Sequence, residues 1–141
     1  MMRDEILALV KRRHEAWNTH DVATLAACHA EAGIVISPTG GVLEGRSEIE
    51  RVYRLWFSAF PDINMTMDEV LVDGNRAVEI ARMTGTHAGD FFGLAPTGRT
   101  LEAKLAMVMS FEDGRILEER RIYDFTGVLI QIGVLKAKPT T

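Results

Sequence analysis

Asp124 stands where the strand-like run Arg115 to Phe125 gives way to the apolar segment Thr126-Gly127-Val128-Leu129-Ile130-Gln131-Ile132-Gly133. A carboxylate at a strand end can do two things. In apolar surroundings desolvation raises its pKa, which suits it to general acid/base chemistry near neutral pH. It can also cap the following helix, accepting from the backbone N–H of Gly127, since aspartate is a favoured N-cap. The residues alone leave both roles open. Cys28 lies between Ala27 and His29 in a helical segment and reads as a small buried residue, with a nucleophilic role the alternative. His14, His20 and His29 have no spacing that puts two of them on one helical face as metal ligands, so no metal site is expected. The glycine-rich stretch Gly85 to Gly98 lacks the Gly-Lys-Ser/Thr ending of a phosphate loop.

The elements that must position Asp124 are the strands of the second half. Two dipeptides, Asp73-Gly74 and Asp113-Gly114, are strong hairpin turns. With Asp113-Gly114 as the turn, Leu105 faces Ile122 and Ala103 faces Asp124. Alternation then collects Leu105, Met107, Met109 and Phe111 on one apolar face with Ile116, Glu118, Arg120, Ile122 and Asp124. Arg120 can pair with Glu118, which leaves Asp124 among Ala103, Leu105 and Ile122. The first hairpin, read the same way, sets Arg82 opposite Met65. Arginine on a mostly apolar face needs a partner, Glu69 or a bound anion, unless its tip is solvated. Asp68 and Glu79 become cross-strand neighbours of like charge.

The first half is helical. Ile6, Leu9, Val10, Arg13 and Trp17 recur at helical spacing between Arg3 and His20. Asp21 caps a second helix, Val22 to Ala30, and Ser47 with Glu50 forms a capping box for a third that ends at Phe60. Ile34-Val35-Ile36 is a short buried strand, and Lys136 to Thr141 is a polar tail expected to fray. Helices followed by long antiparallel strands are an α+β pattern over one domain, residues 1–141. The helices cover one face of a curved sheet, and the mouth of the resulting cone is a natural small-molecule pocket. Trp17, closing the first helix, is the better pocket candidate of the two tryptophans; Trp56 reads as core.

The chain has 141 residues, is 47% hydrophobic and carries a formal net charge of −4. No basic stripe appears, so neither nucleic acid nor an anionic membrane is an expected partner. No apolar run is long enough to span a bilayer, and the N-terminus lacks an h-region, which makes cytoplasmic residence the default expectation. A single cysteine excludes an intramolecular disulfide.

Gly85-Thr86-His87-Ala88-Gly89, continuing to Gly93, Pro96-Thr97-Gly98 and Arg99, resembles the loop of the SnoaL-like polyketide cyclases. So does the ending Asp124-Phe125, Gly127, Leu129, Gln131, Gly133, with Ala16-Trp17-Asn18 and Phe60-Pro61-Asp62 fitting loosely. The resemblance spans essentially the whole chain. It implies the cone-shaped α+β barrel of the nuclear-transport-factor-like superfamily, a homodimer through the sheet, and ring closure by intramolecular aldol condensation without metal or organic cofactor. It also implies that Asp124 is the acid/base, and its motif includes His87, which either polarises a carbonyl or orients the substrate, or only hydrogen-bonds the loop backbone. The family brings polar side chains, a histidine included, into the pocket on the strand matched by Leu101 to Phe111. Here that strand presents Leu105, Met107 and Met109, so a smaller or more apolar carbonyl ligand is expected, contacting Trp17, Leu105, Met107, Ile122, Arg120 and His87. A related hydrolase or isomerase, or a non-catalytic binder of hydrophobic ligands, are the alternatives.

Overall fold

In a computed structural model, which describes residues 1–136, the chain runs α1 (Arg3–Asn18), α2 (Val22–Ala27), β1 (His29–Ser37), β2 (Gly41–Glu44), α3 (Arg46–Ala59), β3 (Asn64–Asp73), β4 (Arg76–Thr86), β5 (Thr100–Glu112), β6 (Arg115–Tyr123) and α4 (Phe125–Gln131). The tail expected to fray lies, beyond Lys136, outside the described residues. Asp21 caps α2 by accepting from the Thr24 backbone N–H at 3.1 Å. Two expectations need correction. Residues 29 and 30 begin β1 instead of ending α2, and α3 starts at Arg46 with Gly45 as its N-cap, not Ser47. Glu50 is engaged by Arg54 at 2.6 Å instead of closing a capping box.

The six strands form one open sheet in the order β2-β1-β6-β5-β4-β3, with β1 parallel to β6 and every other pairing antiparallel. Helix α1 packs on β3, and α3 on α2 and β1, so the helices fill the concave side. Ile6, Leu9, Val10 and Trp17 of α1 are buried there with Ile49, Val52, Tyr53 and Trp56 of α3. The outer face carries a half-exposed apolar band, Ile80, Ala106 and Val108, with Leu71 and Ile122 each 54% exposed.

Both long hairpins contain a β-bulge, and the bulges decide which side chains enter the cone. Around Asp113-Gly114 the expected turn forms: Glu112 pairs with Arg115, and φ at the two turn residues is 51° and 77°, as a type I′ turn demands. Past Phe111 and Ile116 the register shifts, so that Ser110 pairs with Glu118 and Leu117 is the extra residue. One inserted residue inverts every later side chain on that strand. Glu119, Arg121 and Tyr123 therefore turn inward beside Met109, Met107 and Leu105, while Arg120 and Ile122 face solvent. The expectation that Arg120 and Ile122 line the cone is corrected by this bulge.

In the first hairpin Asp73 pairs with Arg76, which makes Gly74-Asn75 the turn, and a second bulge falls between Met67 and Glu69. It puts Asp68 outside with Arg82, whose Nε and Nη2 donate to that carboxylate at 3.1–3.2 Å. Glu79 points inward, so the expected Asp68–Glu79 clash does not arise, and Arg82 faces neither Met65 nor Glu69.

The loop from His87 to Arg99 is strapped to the end of α3: Ala88 and Gly89 both donate to the Ala59 carbonyl, at 3.0 and 3.1 Å. A Cβ on Gly89 would lie 2.2 Å from the Ser58 carbonyl oxygen. Gly89→Ala should therefore lower stability by about 3 kcal/mol, read from urea unfolding; an unchanged midpoint would refute this close approach.

Candidate active site

Inside the cone lies a narrow cleft of about 20 Å³, room for little more than a water molecule. Trp17 of α1, Trp56 of α3, and Leu105 and Met107 of β5 form its walls, with Met65 and Met83 from the neighbouring strands. Arg121 and Tyr123 reach it from β6. Methionine is unbranched and repacks readily, so three such walls can widen the cleft. Of the residues expected to contact a ligand, Trp17, Leu105 and Met107 line it; His87, Arg120, Ile122 and Asp124 do not.

Arg121 is the outermost member of a buried polar cluster. Its Nε donates to Glu119 Oε2 at 2.6 Å, and Arg13 Nη2 donates to the same oxygen at 2.7 Å. Arg13 Nη1 also meets Met107 Sδ at 3.2 Å and lies 3.8 Å from Glu79, which in turn is bonded to His14 Nδ1 at 3.2 Å. His29 Nε2 and the Tyr53 hydroxyl are 2.7 Å apart. Arg13, His29, Tyr53, Glu79 and Glu119 are all fully buried. The sheet supplies Glu79, Glu119 and Arg121, and the apolar stripe of α1 supplies Arg13.

Charge states follow from burial and pairing. Burial pushes the Glu119 carboxyl up, but Arg121 and Arg13, then His29, together draw it down to about 2. Burial would lower both guanidiniums, yet Glu119 above all holds Arg13 and Arg121 above the ordinary arginine value. Burial is the main reason that His29 falls to about 3, with Arg13, Arg121 and Arg46 adding to it, so its ring is neutral at ordinary pH. Tyr123 is pushed up mainly by burial, its hydroxyl meeting that of Thr39.

Arg13 Nε, His29 Nδ1, Glu79 Oε1, His87 Nε2 and Glu119 Oε1 are buried without a hydrogen-bond partner among the described residues, and two further such atoms belong to residues that line the cleft. Arg121 Nη2 and Trp17 Nε1 are buried N–H donors with no hydrogen-bond partner among the described residues. The guanidinium carbon of Arg121 lies 5.9 Å from the Trp17 ring centre and 4.9 Å from that of Tyr53. Buried donors are ordinarily paired, and an orphan in a cleft invites an acceptor from outside.

Asp124 is not within the apolar interior. It is exposed and caps α4, its Oδ1 accepting from the Gly127 N–H at 2.9 Å. Its expected position among Ala103, Leu105 and Ile122 fails for the same reason as that of Ile122, the bulge at Leu117. Asparagine caps as well as aspartate. Asp124→Asn should thus unfold at the parent midpoint, whereas Asp124→Ala should lose about 1 kcal/mol; equal losses in both variants would exclude the cap as the source.

His87 is fully buried, its ring tilted against Phe60, with Nδ1 3.1 Å from the Thr97 hydroxyl and its backbone paired with Gly98 and Arg99. It pins the loop behind the aromatic wall. The other histidines are engaged separately, His20 with the Ile63 carbonyl at 2.9 Å. Among the described residues no group of three or more His, Cys, Asp or Glu forms a metal cluster, and no helix is long and apolar enough to cross a membrane.

Helices folded into the concave side of an open, curved six-stranded sheet, with a cleft at the core, define an α+β cone. The profile of the SnoaL-like polyketide cyclases matches residues 8–132. The chain belongs to that family. It is 29% identical over 136 residues to aklanonic acid methyl ester cyclase AcmA of Streptomyces galilaeus, covering 92% of this chain and 91% of that one. Its structure resembles TsrD of Streptomyces laurentii (25% identity, TM-score 0.84, 96% and 99% of the two chains). IdmH of Streptomyces antibioticus is similar too (27%, TM-score 0.75, 90% and 97%).

Proposed function

We propose that the protein is an acid/base enzyme of the cyclase type, acting without an added cofactor on a small, largely apolar carbonyl compound. The observation that carries this reading is the pair of unpaired donors, Arg121 Nη2 and Trp17 Nε1, at the edge of an otherwise apolar cleft. A carbonyl oxygen there accepts from both. When a proton leaves the adjacent carbon, the electron pair moves onto that oxygen, and donors already in place stabilise the charge without reorganisation. The enolate carbon then attacks a second carbonyl, whose π electrons move to its oxygen and take the proton back from the base to close the ring, or a conjugated dienolate is reprotonated at its remote carbon to give an isomer.

The family resemblance makes Asp124 the proton acceptor, and because its carboxylate caps α4 outside the cleft, that role requires the β6–α4 junction to turn it inward. Glu119 lies nearer but is held at about 2 by two guanidiniums, too weak a base near neutral pH. Glu79 is committed to His14 and Arg13. Asp124 follows Tyr123, which lines the cleft, so strand alternation directs its carboxylate outward, where the cap uses Oδ1 alone.

The test is deuterium exchange beside the carbonyl of 2-tetralone, followed by NMR. The parent should accelerate it. Arg121→Lys should lower kcat/KM by about 100-fold, the usual effect of losing one such donor, and Trp17→Phe by about tenfold. Asp124→Asn should lower it at least as much as Arg121→Lys. Parent rates equal to buffer, or unchanged Arg121→Lys and Trp17→Phe rates, would sink the proposal. The three methionine walls favour a second reading, a binding protein for hydrophobic ligands; it predicts saturable binding of 2-tetralone with no exchange.

A further inference from the structure

The cleft as it stands holds little more than a water molecule, so anything larger enters only if one wall gives way. Most of the walls are held from several sides. Trp17 packs against Tyr53 and Phe57 at ring-centre distances of 5.3 and 5.2 Å, and Trp56 against Phe60 and Phe91 at 5.8 and 5.0 Å. Met65, Met83, Leu105 and Met107 are buried, and Arg121 is fixed by Glu119 at 2.6 Å. Tyr123 is the one lining residue that is not buried. It ends β6, where the strand has lost one neighbour: the β5 ladder reaches it at Leu105, but the β1 ladder stops at Ile36–Arg120. On that side β1 turns away through Pro38-Thr39-Gly40 into the four-residue strand β2, which lies at the sheet edge and pairs with β1 alone. The hydroxyls of this turn, Thr39 foremost and Ser37 beside it, hold the Tyr123 hydroxyl.

We propose that the Tyr123 side chain is the door of the cleft and the β1–β2 turn its latch. With its hydroxyl bonded to Thr39 the ring shuts the cleft; with that bond broken the ring swings out over the rim and the cleft opens. The door goes beyond the proposed reaction and stands whether the cleft catalyses or only binds. Three observations carry it. The latch is a bond between neutral hydroxyls at a half-exposed rim, where water readily takes the place of either partner. The ring sits at a strand end with one side unpaired, so it changes rotamer without breaking the ladder to β5. The latch is anchored in a short edge hairpin, the kind of segment that opens well below the cost of global unfolding.

The protein carries its own reporter. It has two tryptophans, both of which line the cleft, and the buried Trp17 Nε1–H has no partner. Exchange of that proton with solvent, followed by NMR and assigned with Trp17→Phe, reads the opening of the cleft with no ligand present. In the parent it should exchange faster than the buried backbone amides of Val52 and Tyr53, because the door opens without global unfolding. Thr39→Val and Tyr123→Phe should each raise its rate about fivefold, the effect of losing one neutral hydrogen bond from the closed state. Combining them should add nothing to Tyr123→Phe, since both changes remove the same bond. Tyr123→Ala, which has no door, should exchange fastest of all. Thr97→Val frees His87 and loosens the loop behind the aromatic wall instead, and should leave the rate at the parent value. An indole proton no faster than the core amides, a rate unmoved by Thr39→Val and Tyr123→Phe, or a rise in Thr97→Val in their place would overturn the proposal.

Discussion

Arg13→Met should be among the most damaging single substitutions in this chain, lowering unfolding free energy by about 3–5 kcal/mol. The side chain is fully buried, bonded to Glu119 at 2.7 Å and near Glu79 at 3.8 Å. Methionine fills similar volume, so the loss is not one of packing. It arises because Glu79 is left with His14 alone and Glu119 with Arg121 alone, in a region water does not reach. Removing one partner of a buried ion pair is far more disruptive than removing both. The double variant Arg13→Met/Glu79→Gln should consequently regain at least about 1 kcal/mol over Arg13→Met. Urea unfolding at pH 7.5 measures both. A loss under about 1 kcal/mol for the single variant would mean that the cluster is hydrated in solution.

Stability should fall in two stages on acidification, the second steeper than the first. His29 and Glu119 both have folded-state pKa values below their ordinary ones, about 3 against 6.5 and about 2 against 4.5. A depressed folded value means that the unfolded chain binds the proton first, so the stabilisation is complete above the unfolded pKa and is lost as pH falls below it. For His29 the loss begins near pH 6.5 and runs towards 3; for Glu119 it begins near 4.5 and runs towards 2. One proton corresponds to a slope of about 1.4 kcal/mol per pH unit, and two protons to roughly twice that. Urea midpoints measured from pH 8 to pH 4 should be flat above 7, fall below 6.5, and fall faster below 4.5. His29→Gln should remove the first stage and keep the second. A parent curve without a decline between pH 6.5 and 5 would contradict the neutral, buried ring.

Much of the fold was legible because the signals are local. Asp113-Gly114 takes the positive φ that its hairpin requires, and Asp21 caps α2 as its position suggests. The site was legible only in part. Trp17, Leu105 and Met107 follow from apolar periodicity and line the cleft. Arg121, Tyr123 and Glu119 were missed because strand parity was carried unbroken from the turn, and a bulge at Leu117 has no compositional signature. Asp68 misled in the same way on the first hairpin. One signal was available. Arg13 lies in the apolar stripe of α1 at helical spacing with Val10 and Trp17, and an arginine there needs a buried carboxylate somewhere in the chain. Reading that need forward would have asked which carboxylates face inward, and so tested the register of both hairpins.

Leu117 can be described in terms of information. Its side chain is 39% exposed, and its contribution lies in its place in the count of residues along β6. It acts as a parity bit: looped out, it lets the ordered string Glu119, Arg121, Tyr123 be read into the cone; paired in register, it would turn Glu118, Arg120 and Ile122 inward instead. Two complete and chemically different pocket walls are thus encoded on alternate positions of one strand, and whether one residue of no chemical interest is paired or looped out selects between them. Within such a scaffold, a one-residue shift of register rewrites the chemistry of the interior more thoroughly than any single substitution there.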